Sequence, residues 1–192
     1  AYEIINAANT HYPRNNVPLP SPGVGGACLS KDPHLLIDFS KKAGYNPELI
    51  VASRKINESY PAKIIRRISS ELNNFGKDLN SSTVLIVGLA FKGNPITNDL
   101  RDSTSIWLIE ELNKNYKCEV KGFDYVVNFE EIKNLGIKPV ELPDAFNDID
   151  VLIVGNNHEM YRDWNISDII GRMNTPSIIY DSWRMIDFAD EF

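Results

Sequence analysis

"TVLIVGLAF", Thr83 to Phe91, is an apolar run rich in β-branched side chains and interrupted by one glycine. A strand covered by helices on both faces has this composition, as strands of parallel sheets do. Working outward, "STSIWLIEELNKN" (103–115) has helical periodicity, with Ser103 as its N-cap and Asp102 competing for that place. "CEVKGFDY" (118–125) reads as a second strand and "NFEEIKNLG" (128–136) as a short helix. "DIDVLIVGNNH" (148–158) and "PSIIYDSW" (176–183) read as two more strands. Strands alternating with helices predict an α/β fold with a parallel, doubly wound sheet. Ligands of such sheets sit beyond the carboxyl ends of the strands. Those ends carry Gly88 to Lys92, Asp124 to Val126, Gly155 to His158 and Asp181 to Arg184.

The chain upstream reads differently. "AYEIINAANTHYP" has Ile4, Ile5 and Ala8 on one helical face, with Pro13 closing it. A loop rich in proline and glycine follows, up to residue 33. "HLLIDFSKKAG" predicts a helix with Leu35, Leu36 and Phe39 on one side and Gly44 as its stop. Residues 46–76 read as one long helix kinked at Pro61, or two joined near it. Leu49, Ile50, Ile56, Ile64, Ile65, Ile68 and Leu72 form its apolar stripe, suited to a dimer seam or a plain core. The predicted division is 1–76, helical, and 77–192, the sheet domain.

The bulk numbers exclude several classes. The net charge of −6 disfavours a nucleic-acid partner. No apolar run approaches the length of a membrane span. With Cys28 and Cys118 the only cysteines, a reduced cytoplasmic protein is expected. His11, His34 and His158 stand in unrelated contexts, so no metal site is expected.

"PSPGVGGACLSKDPHLL" (20–36) holds the most chemistry. Gly23, Gly25 and Gly26 do not complete a G-x-G-x-x-G, and prolines precede them where a dinucleotide fingerprint needs a strand. Glycines also serve tight turns, and cysteine is often a small buried hydrophobe. Against that, Cys28 lies just before a predicted helix, with Lys31 three positions on. A helix N-terminus and a nearby cation both favour a thiolate. From these residues alone, nucleophile and buried hydrophobe both stay open.

The same stretch resembles the G-x-G-G-x-C-x-x-K-D signature of the UDP-glucose/GDP-mannose dehydrogenase family. "ANTHYPRNNVPLPSPGVGGACLSKDP" is similar to the N-x-x-P-R…P-G-P-G-V-G-G-x-C stretch of its UDP-N-acetylmannosamine branch. "RKINESYP" resembles the family's R-x-I-N-x-x-M-P. "VLIVGLAFKGNPITNDLRDST" resembles G-L-A-F-K-x-x-T-x-D-x-R-x-S-P, and "FDY" resembles Y-D-P. The resemblance covers nearly the whole chain.

It implies a Rossmann-like UDP-binding domain after a helical dimerisation segment, in a homodimer. The implied reaction oxidises a UDP-sugar C6 alcohol to the carboxylate with NAD. It casts Cys28 as the nucleophile of a thioester intermediate. Asp32, about one helical turn on, would orient a water. Lys31 and Arg101 would lie against NAD. Arg14, Gly25, Gly26, Phe91 and Lys92 would meet the UDP-sugar, Arg14 reaching into the neighbouring subunit. Asn57 and Pro61 read as structural marks of the central helix.

Some residues depart from the pattern. "GNPITNDLR" lengthens the spacing from Lys92, so Arg101 is expected to be displaced. Ser21 replaces a glycine. Trp183 stands where the family often has a substrate-binding Arg in D-G-R, with Arg184 one step later. The chain starts without Met inside an apparent helix, so a longer parent is expected, with the NAD-binding domain upstream. On that expectation the chain alone does not turn over. Within the resemblance, "PSPGVGG" is more like the N-acetylhexosamine enzymes, the favoured reading, and "KD" after the cysteine more like the UDP-glucose enzymes, the alternative. A non-catalytic nucleotide-sugar module and a thiol hydrolase are the rivals of other classes.

Overall fold

The computed structural model describes residues 1–11, 13–14 and 16–188. Four helices come first: α1 (Tyr2–Asn9), α2 (Asp32–Lys42), α3 (Glu48–Glu58) and α4 (Tyr60–Asn74). Then follow β1 (Thr83–Val87), α5 (Thr104–Asn115), β2 (Glu119–Phe123), α6 (Phe129–Asn134) and β3 (Lys138–Pro139). The last elements are β4 (Val151–Val154), α7 (Ile166–Arg172) and β5 (Ile178–Asp181). The strands form one parallel sheet in the order β3-β2-β1-β4-β5. The chain reverses direction across the sheet between β1 and β4, so the crevice falls beyond their carboxyl ends.

The period of two along each central strand feeds two cores. Val84 and Ile86 of β1 join Val151 and Ile153 of β4 under α4 and α5. Leu85 and Val87 join Leu152 and Val154 against α7 on the other face. Both faces of the run are therefore buried, as its composition predicts.

Several boundaries moved. The run at 83–91 is strand only to Val87, because Gly88 turns the chain with φ +81°. The other three predicted strands also shorten, while β3 and α7 had no reading in the sequence. Ser103 is indeed the N-cap of α5, its hydroxyl accepting the Ser105 N–H, and Asp102 sits one residue outside. The helix expected at 34–44 starts two residues earlier, at Asp32.

The stripe from Leu49 to Leu72 is buried only in its second half. Residues 46–76 form two helices broken at Ser59, with Pro61 in the first turn of α4, where its missing N–H costs nothing. Ile64, Ile65, Ile68 and Leu72 are buried, but Leu49 is 81% and Ile56 59% exposed. The cause is packing: α4 lies on α5 and β5, whereas α3 turns its Arg54–Asn57 face to the loop around Cys28. Ile4 of α1 is likewise exposed.

Candidate active site

The crevice is pinned from both sides. The Asp124 carboxylate, beyond β2, accepts the N–H groups of Leu89 (2.7 Å) and Ala90 (3.1 Å) with one oxygen. Its other oxygen takes those of Val126 and Val127. Asn157, beyond β4, accepts from Gly93 (2.9 Å) and Asn94 (3.1 Å). The Phe91 N–H donates to the Asp99 carbonyl at 3.0 Å and closes the 91–99 loop on itself. Lys92 rides on this loop, half-exposed, with Nζ 5.1 Å from the Phe91 ring centroid. It lies five residues beyond β1 rather than at the strand end.

The cysteine loop docks onto this structure. Gly26 N–H donates to the Asp102 carbonyl (3.2 Å), and the Ser30 hydroxyl lies 2.6 Å from the Asp102 carboxylate. Close approach explains two glycines. A Cβ on Gly25 would collide with the Asp102 carbonyl, and one on Gly26 would come 3.0 Å from the Phe91 ring. From the other side Asn57 bonds Val24 in both directions, and Arg54 donates to the Leu29 carbonyl at 3.3 Å. Cys28 stands exposed between these anchors.

Asp32 lies one turn from Cys28, its N–H donating to the Cys28 carbonyl at 2.9 Å. Lys31 is exposed and pairs with Asp32 at 3.3 Å. Arg101 is also exposed and forks onto Asp99. Asp99 is the main reason its guanidinium is held above its usual range. This docking sets Gly25 and Gly26 against Asp102 and Phe91, and so places the Cys28 loop beside the loop that carries Lys92 and Arg101. Arg14 is exposed in the turn after α1.

Residues 85–188 match the UDP-binding domain of the UDP-glucose/GDP-mannose dehydrogenase family, and residues 1–59 match its central domain. The chain belongs to this family. It is 31% identical over 179 residues to the UDP-N-acetyl-D-glucosamine 6-dehydrogenase of Salmonella typhi, covering 93% of this chain and 41% of that one. It is 32% identical over 170 residues to the UDP-N-acetyl-D-mannosamine dehydrogenase of Methanocaldococcus jannaschii, covering 88% and 35%. The solved UDP-D-ManNAc dehydrogenase of Pyrococcus horikoshii superposes with a TM-score of 0.76 at 27% identity, over 93% of this chain and 43% of that one. The chain thus spans less than half the length of these relatives.

Membership in the UDP-glucose/GDP-mannose dehydrogenase family makes the departures concrete. Trp183 donates its indole N–H to the Gly155 carbonyl at 2.9 Å and so closes the β4 turn. Arg184, at φ 54°, lays its guanidinium 3.8 Å from the Tyr2 ring centroid on α1. Arg184 and Ser182, just beyond β5, thus both meet Tyr2 of α1, whose hydroxyl donates to the Ser182 carbonyl at 3.4 Å.

The turn after β1 does not fit the pyrophosphate of NAD. The amides of Leu89 and Ala90, which would have to cradle it, already face the Asp124 carboxylate. Lys31 and Arg101 are exposed cations, each already paired with a carboxylate, Asp32 and Asp99 respectively. Among the described residues no group of three or more His, Cys, Asp or Glu could hold a metal, and no helix is long and apolar enough to cross a membrane.

Sequence reasoning missed Arg54 and Ser30, took Asp102 only as a rival N-cap and Asn57 only as a helix mark, and covered Asn157 only as part of the strand end at Gly155 to His158. A signal for two of them was present. Arg54 and Asn57 are three apart in "RKIN", a spacing that puts both on one helix face.

Proposed function

We propose that this chain provides the UDP-binding surface and the reactive thiol of a NAD-dependent UDP-N-acetylhexosamine 6-dehydrogenase. The observation that carries the reading is the exposed Cys28 on a loop bonded to the loop that bears Phe91 and Lys92. The names of the relatives, two UDP-N-acetylhexosamine dehydrogenases, support the substrate class. Lys92 meets the diphosphate as a point charge, and Phe91 with Gly25 and Gly26 walls the sugar. Arg14 reaches the sugar bound in a neighbouring copy.

The chemistry at Cys28 follows from the two oxidations. NAD, when bound, would supply the hydride acceptor for both, and Lys31 and Arg101 are the rim cations that would hold it. Once the C6 aldehyde exists, the Cys28 sulfur adds to its carbon, and the carbonyl oxygen takes a proton to give a thiohemiacetal. After the second oxidation the carbon is a thioester. Asp32 orients a water that adds to it, the C–S bond breaks, and the thiolate leaves with the carboxylate released. Binding is tested by calorimetric titration with UDP, UDP-N-acetylglucosamine, UDP-N-acetylmannosamine and UDP-glucose. Tighter binding of an N-acetylhexosamine nucleotide is expected. Preference for UDP-glucose would move the substrate assignment, and no heat with any of them at millimolar concentration would overturn the reading.

The chain assembles as a homodimer in this account, in the reducing cytoplasm where both free thiols persist. The helical unit to residue 76 supplies the seam, through exposed Phe39 of α2 and Leu49 and Ile56 of α3. Light scattering that finds only the 21.7 kDa species would contradict this.

A further inference from the structure

Ser30 is buried although it lies two residues from the exposed Cys28. Its hydroxyl is 2.6 Å from the Asp102 carboxylate and 2.7 Å from the Gly26 carbonyl. A hydroxyl has one proton, and the charged acceptor holds it more strongly. Asp102 also receives the Gly26 N–H on its own carbonyl. This residue, at φ 51°, ends the 88–102 loop immediately before the α5 cap. The same loop carries Phe91, against whose ring Gly26 packs, and Lys92. The bond from Phe91 to the Asp99 carbonyl joins the two halves of the loop.

We infer that Ser30 and Asp102 are positioning residues that couple occupancy of the Phe91–Lys92 surface to the setting of the Cys28 loop. The inference rests on the UDP-sugar reading above. A diphosphate drawn to Lys92 restrains the 91–102 loop. Asp102 then passes that restraint through Ser30 and Gly26 to the two sides of Cys28. The nucleotide half of the substrate thereby helps hold the thiol where the sugar carbon arrives.

The test is hydrogen exchange by mass spectrometry on the 192-residue chain, free and with UDP at a saturation set by calorimetry. UDP slows exchange across residues 24–32 about fivefold. Ser30→Ala speeds ligand-free exchange there roughly tenfold, as loss of a bond to a charged partner does. It also removes the effect of UDP while leaving UDP affinity within about twofold, because the open loop is a minor state. Ser30→Thr keeps the hydroxyl and restores the response. Asp102→Gly suits the positive φ, removes the side chain while keeping the backbone carbonyl that accepts the Gly26 N–H, and repeats the loss, which decides the matter if Ser30→Ala does not fold. Either variant responding to UDP as the parent does would overturn the coupling, as would a parent that binds UDP without change at 24–32. Absence of UDP heat is a different result: it overturns the UDP-sugar reading and the coupling with it.

Discussion

Asn57 and Val24 hold each other by two hydrogen bonds: the Asn57 carbonyl oxygen accepts the Val24 N–H at 2.8 Å, and its amide donates to the Val24 carbonyl at 3.0 Å. A side chain on α3 thus completes a backbone ladder for the loop that leads to Cys28. Asn57→Ala removes both bonds and is expected to cost about 1 kcal/mol, since the pair is only partly shielded from water. Urea denaturation gives the cost, and faster hydrogen exchange confined to residues 22–30 locates it.

Two glycine substitutions should move stability in opposite directions. Gly25→Ala places a Cβ into the Asp102 carbonyl, so the cysteine loop must lift off, at about 1–3 kcal/mol. Gly171 lies within α7 with nothing near its would-be Cβ, so Gly171→Ala should stabilise by up to about 1 kcal/mol. Melting temperatures of the two variants, lower and higher than the parent, check both.

The sheet could be read from the sequence because β1 and β4 are buried on both faces and carry continuous apolar runs. β3 escaped notice because two residues, Lys138 and Pro139, leave no periodic pattern. The fate of Leu49 and Ile56 was not legible either: an apolar helical stripe says that a face wants cover, not which helix obtains it. At the site, the cysteine motif marked Cys28, Asp32 and the glycines. The anchors at Asp102 and Asn57 depend on contacts 72 and 33 residues away in sequence, which no local pattern encodes.

Asp150 joins four segments beneath the sheet. It pairs with Lys77 at 2.6 Å and accepts from Thr83 N–H and the Asn174 amide. Burial alone would raise its carboxyl, but these hydrogen bonds and the Lys77 charge outweigh burial and hold it below the usual carboxylate range. A depressed folded pKa gives stability that is complete above the unfolded value of about 4 and is lost as pH falls through the folded value. Asp150→Asn should therefore be less stable than the parent by about 2 kcal/mol at pH 7, with the gap narrowing below about pH 4. Urea midpoints across that range check it, and a gap independent of pH would contradict it.

Lys92 is a cation on the crevice loop, and its Nζ has the Phe91 ring as a described neighbour. Lys92→Met keeps most of the stem and removes the charge. Calorimetric UDP affinity should fall about tenfold, as loss of one charge-assisted contact to phosphate implies. Unchanged stability in urea would show that the loss is local.

The central claim is that the Cys28 loop and the Phe91–Lys92 loop form one site for a UDP-sugar. Alkylation by iodoacetamide, followed by peptide mass spectrometry, tests it within a single sample. Cys28 is exposed, whereas burial raises the half-buried Cys118 thiol and makes it the slow internal reference. At UDP-N-acetylglucosamine concentrations that calorimetry shows to be saturating, Cys28 should react at least about tenfold more slowly and Cys118 at its original rate. Cys28 alkylated equally fast with and without bound nucleotide sugar would contradict the account.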